Sequence, residues 1–171
     1  MQWLFWICAF GAVNSYVIYP MLLRLLVPVR KQHVPVTEYA PAVTLVIACR
    51  NEERRLPHKI ENALQVAYPL AEILVASDCS DDRSAEITLS YADRGVRLVR
   101  SERRMGKEHA QGLAIASARG EILVFSDAGT DLPTESIGFI VERFRDPAVG
   151  AVSSEDLFVT ADGKVAGEGA Y

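Results

Sequence analysis

The chain has 171 residues, half of them hydrophobic, and 18 Lys and Arg against 22 Asp and Glu give a net charge of −4. That length suits one modest domain plus an appendage, and the acidic balance supplies no electrostatic footprint for nucleic acid, so no nucleic-acid partner is expected. Cys8, Cys49 and Cys79 are widely spaced and form no CxxC pair, which indicates neither a disulfide framework nor a zinc site.

The hydrophobic excess is concentrated at the front. Residues 2–26 (QWLFWICAFGAVNSYVIYPMLLRLL) carry no charge before Arg24, and about 20 apolar residues are enough to span a bilayer. Trp3, Trp6, Tyr16 and Tyr19 are consistent with interfacial aromatics. Arg24, Arg30 and Lys31 cluster behind the run, and the positive-inside rule then puts the rest of the chain in the cytoplasm. A cleaved signal peptide is disfavoured, because no Lys or Arg precedes the run, the run is too long and no cleavage site stands out. The expectation is one retained transmembrane helix over 1–27, in an inner or plasma membrane. Pro28, Pro35 and Pro41 mark a linker over 28–41.

An alternating strand–helix pattern follows. Residues 43–48 (VTLVIA) read as a first strand, and 53–67 as a helix with Leu56, Ile60, Ala63, Leu64 and Ala67 on one stripe. Tyr68-Pro69 ends it, since the residue before proline disfavours the α region. A strand over 72–77, a helix over 84–92 closed by Gly95, and a strand over 96–99 come next. Gly106 opens a helix over 107–118, with Ala110, Leu113, Ala114 and Ala118 on one face and Gly120 as its stop signal. A strand over 121–126 follows, then a helix from near Pro133 with Ile137, Ile140, Val141 and Phe144 as its apolar stripe. A fifth short strand is expected over 149–152. The pattern argues for an α/β domain over 42–158, with a mostly parallel sheet and helices on both faces. The tail over 159–171 has no periodic pattern and reads as incomplete.

Two of the strands, over 72–77 and 121–126, are apolar runs that stop at Asp78 and at Asp127. In open α/β sheets ligands sit beyond the carboxyl ends of the strands. Two aspartates delivered there suit a hard cation and a phosphorylated ligand, the cation neutralising a departing diphosphate. Other chemistries fit less well. Residues 49–53 (CRNEE) stand where a dinucleotide fold has its glycines, and 105–108 (MGKE) lack the upstream glycine and the Ser/Thr of a P-loop. Asp127 and Thr130 lack the second aspartate of a DxDxT phosphatase. Arg100, Arg103, Arg104 and Lys107 form a basic cluster, either a solvated loop or a groove for an anion. His33, His58 and His109 show no metal-ligand spacing, and Asp81-Asp82 read as a cap for the helix that follows.

Taken in order, Asn51-Glu52-Glu53, the segment 77–82 (SDCSDD), Gly106-Lys107 and 120–129 (GEILVFSDAG) resemble the family 2 glycosyltransferases. The resemblance covers about residues 41–152 and implies a GT-A-like fold that takes a nucleotide-diphospho-sugar donor. It implies that Asn51 and Glu52 lie beside the nucleotide base, that Asp78 holds the base in uridine-dependent members, and that Lys107 lies near the diphosphate. It gives Asp127, the first aspartate of the family's DxD motif, to the metal and the diphosphate. A divalent cation, Mg or Mn, is the implied cofactor. Cys79 replaces a glycine of the family pattern, and Gly129 replaces the second aspartate of DxD, which Asp131 can replace only if the loop turns back. No catalytic base is assigned, because the family's base and acceptor elements would fall beyond this stretch; Glu155-Asp156 read as a surface loop. The resemblance implies an inverting transfer of sugar to an acceptor hydroxyl on a sugar polymer or lipid. The alternatives are a catalytically inactive nucleotide-sugar-binding or assembly subunit, or a fragment of the enzyme.

Overall fold

A computed structural model describes residues 2–26, 39–154, 158–159 and 165–166. The chain divides into two compact units, Met1–Val36 and Thr37–Tyr171. In the first, α1 (Gln2–Val13) and α2 (Tyr19–Leu26) flank a π-helical turn over Asn14–Ile18. Pro20 explains that turn: its ring displaces the carbonyl four residues back and it has no N–H to donate. The Tyr19 N–H instead reaches the Asn14 carbonyl, five residues back. The 22 residues Gln2–Leu23 are long and apolar enough to cross a membrane, and none of that window is buried. Of the linker expected over 28–41, only 39–41 fall among the described residues.

The second unit is built on a parallel sheet in the order β3-β2-β1-β4, comprising β1 (Val43–Cys49), β2 (Glu72–Ser77), β3 (Val96–Arg100) and β4 (Ile122–Asp127). The central strands β1 and β2 are buried along almost their whole length, with apolar runs at their centres, because both faces are covered. On one face Leu45, Ile47, Ile73, Val75 and Val124 pack with Leu56, Ile60 and Ala63 of α3 (Leu56–Leu64) and Ile137 and Val141 of α6 (Ser136–Arg143). On the other, Val46, Leu74 and Ala76 meet Ala110 and Ala114 of α5 (Lys107–Ser117). A short α4 (Ser84–Leu89) with a 3₁₀ turn (Ala92–Arg94) links β2 to β3. The expected α/β architecture is therefore observed.

Two expectations are corrected. Residues 149–152 are not a fifth strand: they run as irregular chain, and β4 is an edge of the four-stranded sheet. Four apolar residues are too few for periodicity to decide, and the Val149 N–H is drawn into a turn on the Asp146 carbonyl at 2.9 Å. The expected helix over 53–67 is shorter, because Glu52 and Glu53 are taken up in contacts between loops and the chain leaves the helix at Gln65. Within the tail, β5 (Phe158–Val159) and β6 (Val165–Ala166) pair antiparallel; Glu155-Asp156 lie outside the described residues.

At the end of the sheet opposite the strand carboxyl ends, a buried polar knot fixes β4 beside β1. Glu72 is almost fully buried, and its Oε1 accepts from Thr44 Oγ1 at 3.0 Å and from the Arg119 N–H at 2.7 Å. Arg97 Nε lies 3.2 Å from Oε2. A Cβ on Gly120 would lie 2.4 Å from the Thr44 nitrogen. Gly120 is thus required by close backbone approach, while α5 itself ends two residues earlier, at an extended Ala118.

Candidate functional site

In the parallel register Cys49 lies beside Ser77, so the loops that follow β1 and β2 leave the sheet together. They are stitched to each other. The Asn51 N–H donates to Ser80 Oγ at 3.2 Å, and Asn51 Oδ1 accepts from the Asp81 N–H at 2.9 Å. The Glu52 N–H donates to Ser84 Oγ and the Glu53 N–H to Asp82 Oδ2. Asp82 also accepts the Ser84 N–H at the start of α4, the capping role expected of it. Burial pushes the Asp82 carboxyl upward, but hydrogen bonds from Ser84 and Glu53 outweigh that and hold it below its ordinary value. Asn51 (φ 53°) and Cys79 (φ 49°) are both left-handed. Cys79 therefore occupies an angle that glycine takes without strain.

Asp78 is 5% exposed, and its two oxygens accept the N–H groups of Met105 and Gly106 at 2.9 and 3.1 Å. Those bonds anchor the turn that starts α5, where Gly106 takes φ 97°. The next residue, Lys107, extends to Asp127 at the end of β4, with Nζ 2.6 Å from Oδ1 and both side chains half-exposed. A pocket of about 230 Å³ is lined by Arg50, Glu52, Asp78, Lys107, Asp127 and Gly129, among others. Four of the five expected site residues thus share one pocket at the carboxyl edge of the sheet. Asn51 does not line it; its side-chain oxygen is taken by the neighbouring loop. Larger hollows of about 310 and 730 Å³ lie elsewhere, and neither brings two cations beside a strand-end carboxylate.

The residues present offer a divalent cation one carboxylate, not a cage. Among the described residues no group of three or more His, Cys, Asp or Glu stands ready to hold a metal. Asp131 does not turn back to Asp127; its carboxylate lies 3.4 Å from His58 Nδ1. Both Asp78 oxygens carry loop amides. Asp127 alone fits an ion whose remaining ligands come from substrate phosphates and water.

Sequence reasoning missed Lys59. It is fully buried on α3, its Nζ donates to the Thr130 carbonyl, and Asn62 one turn on exchanges two bonds with Leu132. The loop after Asp127 is therefore held from beneath. Burial lowers the Lys59 pKa to about 8, against the opposing pull of Asp131 and Asp127. The signal was present: position 59 falls on the stripe of Leu56, Ile60 and Ala63.

The model of glycosyl transferase family 2 matches residues 44–159, more than half of the chain. The chain belongs to glycosyl transferase family 2. The mannosyltransferase PcManGT from Pyrobaculum calidifontis, solved in complex with GDP-Man and Mn²⁺, is 30% identical with a TM-score of 0.66, over 82% of this chain and 42% of that one. TarS of S. aureus, solved in complex with UDP-GlcNAc, shares the fold at 20% identity and a TM-score of 0.54. The poly-beta-1,6-N-acetyl-D-glucosamine synthase of Staphylococcus epidermidis is 26% identical over 152 residues, which are 88% of this chain and 35% of that protein. An N-acetylglucosaminyltransferase of Rhizobium leguminosarum bv. trifolii is 30% identical over 121 residues, 67% of this chain and 66% of that one. The family and the GT-A-like fold expected from the motifs are borne out. The chain spans about a third of the length of the S. epidermidis synthase.

Proposed function

We propose that this chain is the donor-binding part of a membrane-anchored glycosyltransferase that moves a sugar, with inversion, from a nucleotide-diphospho-sugar to an acceptor hydroxyl of a polysaccharide or lipid. The observation that carries the reading is the Lys107–Asp127 pair, 2.6 Å apart, in the pocket that Asp78 helps to build. In the absence of ligand each charge neutralises the other. A donor diphosphate entering the pocket offers Lys107 a stronger partner and frees Asp127. The loop that Asp78 anchors keeps the ammonium at the first turn of α5, where the helix dipole also favours an anion.

Asn51, Glu52 and Asp78 are assigned to the nucleotide base; that Glu52 and Asp78 border the pocket supports the assignment. Each Asp78 oxygen retains a lone pair beyond the loop amide it accepts. A Mg²⁺ or Mn²⁺ ion held by Asp127 and the donor phosphates would supply Lewis-acid stabilisation of the leaving diphosphate. The solution of PcManGT with GDP-Man and Mn²⁺ supports that cofactor class. The apolar helix over 1–27 is assigned to an inner or plasma membrane, with the domain over 42–158 joined by the linker 28–41 and facing the cytoplasm.

Titration of the full chain in detergent micelles with UDP and GDP tests this reading. Binding of one of them, weakened about tenfold or more in Asp127→Ala with Mn²⁺ present and in Lys107→Ala without it, is the expected result. Wild-type chain that binds neither nucleotide sinks it. A second reading, an inactive nucleotide-sugar-binding or assembly subunit, is favoured by Gly129 and by the turn of Asp131 toward His58, which leave a single carboxylate for a metal. Turnover of donor with an added acceptor separates the two.

A further inference from the structure

We propose that Arg50 is a binding residue for the donor's diphosphate, a second phosphate-directed cation beside Lys107. The inference rests on the donor reading above. Arg50 directly follows Cys49, the last residue of β1, and lines the pocket with Lys107 and Asp127. Its Nε is closed off from solvent and has no hydrogen-bond partner. Among the described residues its guanidinium makes no ion pair.

The other charges around the pocket are already engaged. Lys107 is on Asp127, both Asp78 oxygens are on loop amides, and Glu52 lies 3.7 Å from Arg55. Arg50 is therefore the cation of the pocket that no carboxylate holds, and its Nε has no hydrogen-bond partner. A buried donor without a partner is costly, and natural structures rarely keep one without a use. A planar guanidinium fork matches the oxygens of a phosphate two at a time, a match that an ammonium cannot make. Among the described residues no carboxylate that lines the pocket pairs with Arg50, and the ligand class proposed for it carries two adjacent phosphates.

The test compares nucleoside diphosphate with monophosphate, because a role on the diphosphate shows in their ratio and loss of packing does not. The full chain in detergent micelles is titrated with UDP, UMP, GDP and GMP. For the base that binds, Arg50→Met is expected to weaken the diphosphate about tenfold or more while the monophosphate changes by less than about threefold. Thermal unfolding checks that the variant folds. If Arg50→Met has no thermal transition, Arg50→Lys carries the test. It keeps the stem and the charge and loses the fork, so a smaller fall in the ratio is expected. An unchanged ratio in the folded variant overturns the assignment of Arg50 and leaves the donor reading standing. Wild-type chain that binds neither diphosphate overturns both.

Discussion

Lys59 places an ammonium where a methionine would cost nothing in desolvation. Because its folded pKa lies near 8 rather than 10.5, the folded state gives up the proton first. The penalty is fully present below pH 8 and is relieved as pH rises from about 8 to 10.5, where the unfolded chain binds more protons. Relative to Lys59→Met, the wild type should therefore gain stability across that window, by at most about 3–4 kcal/mol. Urea midpoints of both proteins at pH 7 and pH 10 check it; a constant difference would mean that the amine is not desolvated. Cys79 gives a second prediction at this scale. A left-handed L-residue costs about 1–2 kcal/mol, and glycine loses part of that gain to its greater freedom when unfolded. Cys79→Gly should raise the melting temperature by a few degrees, and Cys79→Val should lower it. The pattern of the family's loop pointed to a glycine at this position; only the backbone angle explains why.

Between elements, the informative contacts are those that a one-dimensional pattern does not carry. β1, β2 and β4 were legible because buried parallel strands are continuous apolar runs, and α3 and α6 because their stripes repeat at helical spacing. The segment 149–152 has the composition of a strand but is drawn into a turn instead. Gly120 shows the same limit from the other side. Its place after α5 suggested a stop signal, whereas its contact with Thr44, 76 positions away, is visible only in three dimensions. Gly120→Ala would force β4 away from β1 and should cost about 1–3 kcal/mol, as overpacking does. A urea midpoint that does not move would show that the two backbones can separate freely. The stitched loops carry a pH prediction. Since Asp82 is held below its ordinary value, its contribution is present above the unfolded value near 3.8 and is lost as pH falls through the folded one. Asp82→Asn should lose less stability than the wild type on going from pH 5 to pH 3.

For the whole molecule, the two units make opposite demands on their surroundings. Val43, Leu45, Ile47 and Leu74 are shielded within a domain core, while Trp3, Phe5, Trp6 and Phe10 of α1 are largely exposed. Exposed apolar surface of that extent marks an interaction with lipid or protein, and the length of Gln2–Leu23 matches a bilayer. The proposed direction rests on charge: Arg24, Arg30 and Lys31 follow the apolar run, and under the positive-inside rule the proposed donor pocket lies on the cytoplasmic side. A tag placed after Tyr171 should resist protease in right-side-out vesicles and be digested in inside-out ones, with the protein retained in the membrane pellet at alkaline pH. Release into the supernatant would remove the membrane anchor. Digestion in right-side-out vesicles would instead reverse the orientation and place Lys107, Asp127 and Arg50 on the far side of the membrane.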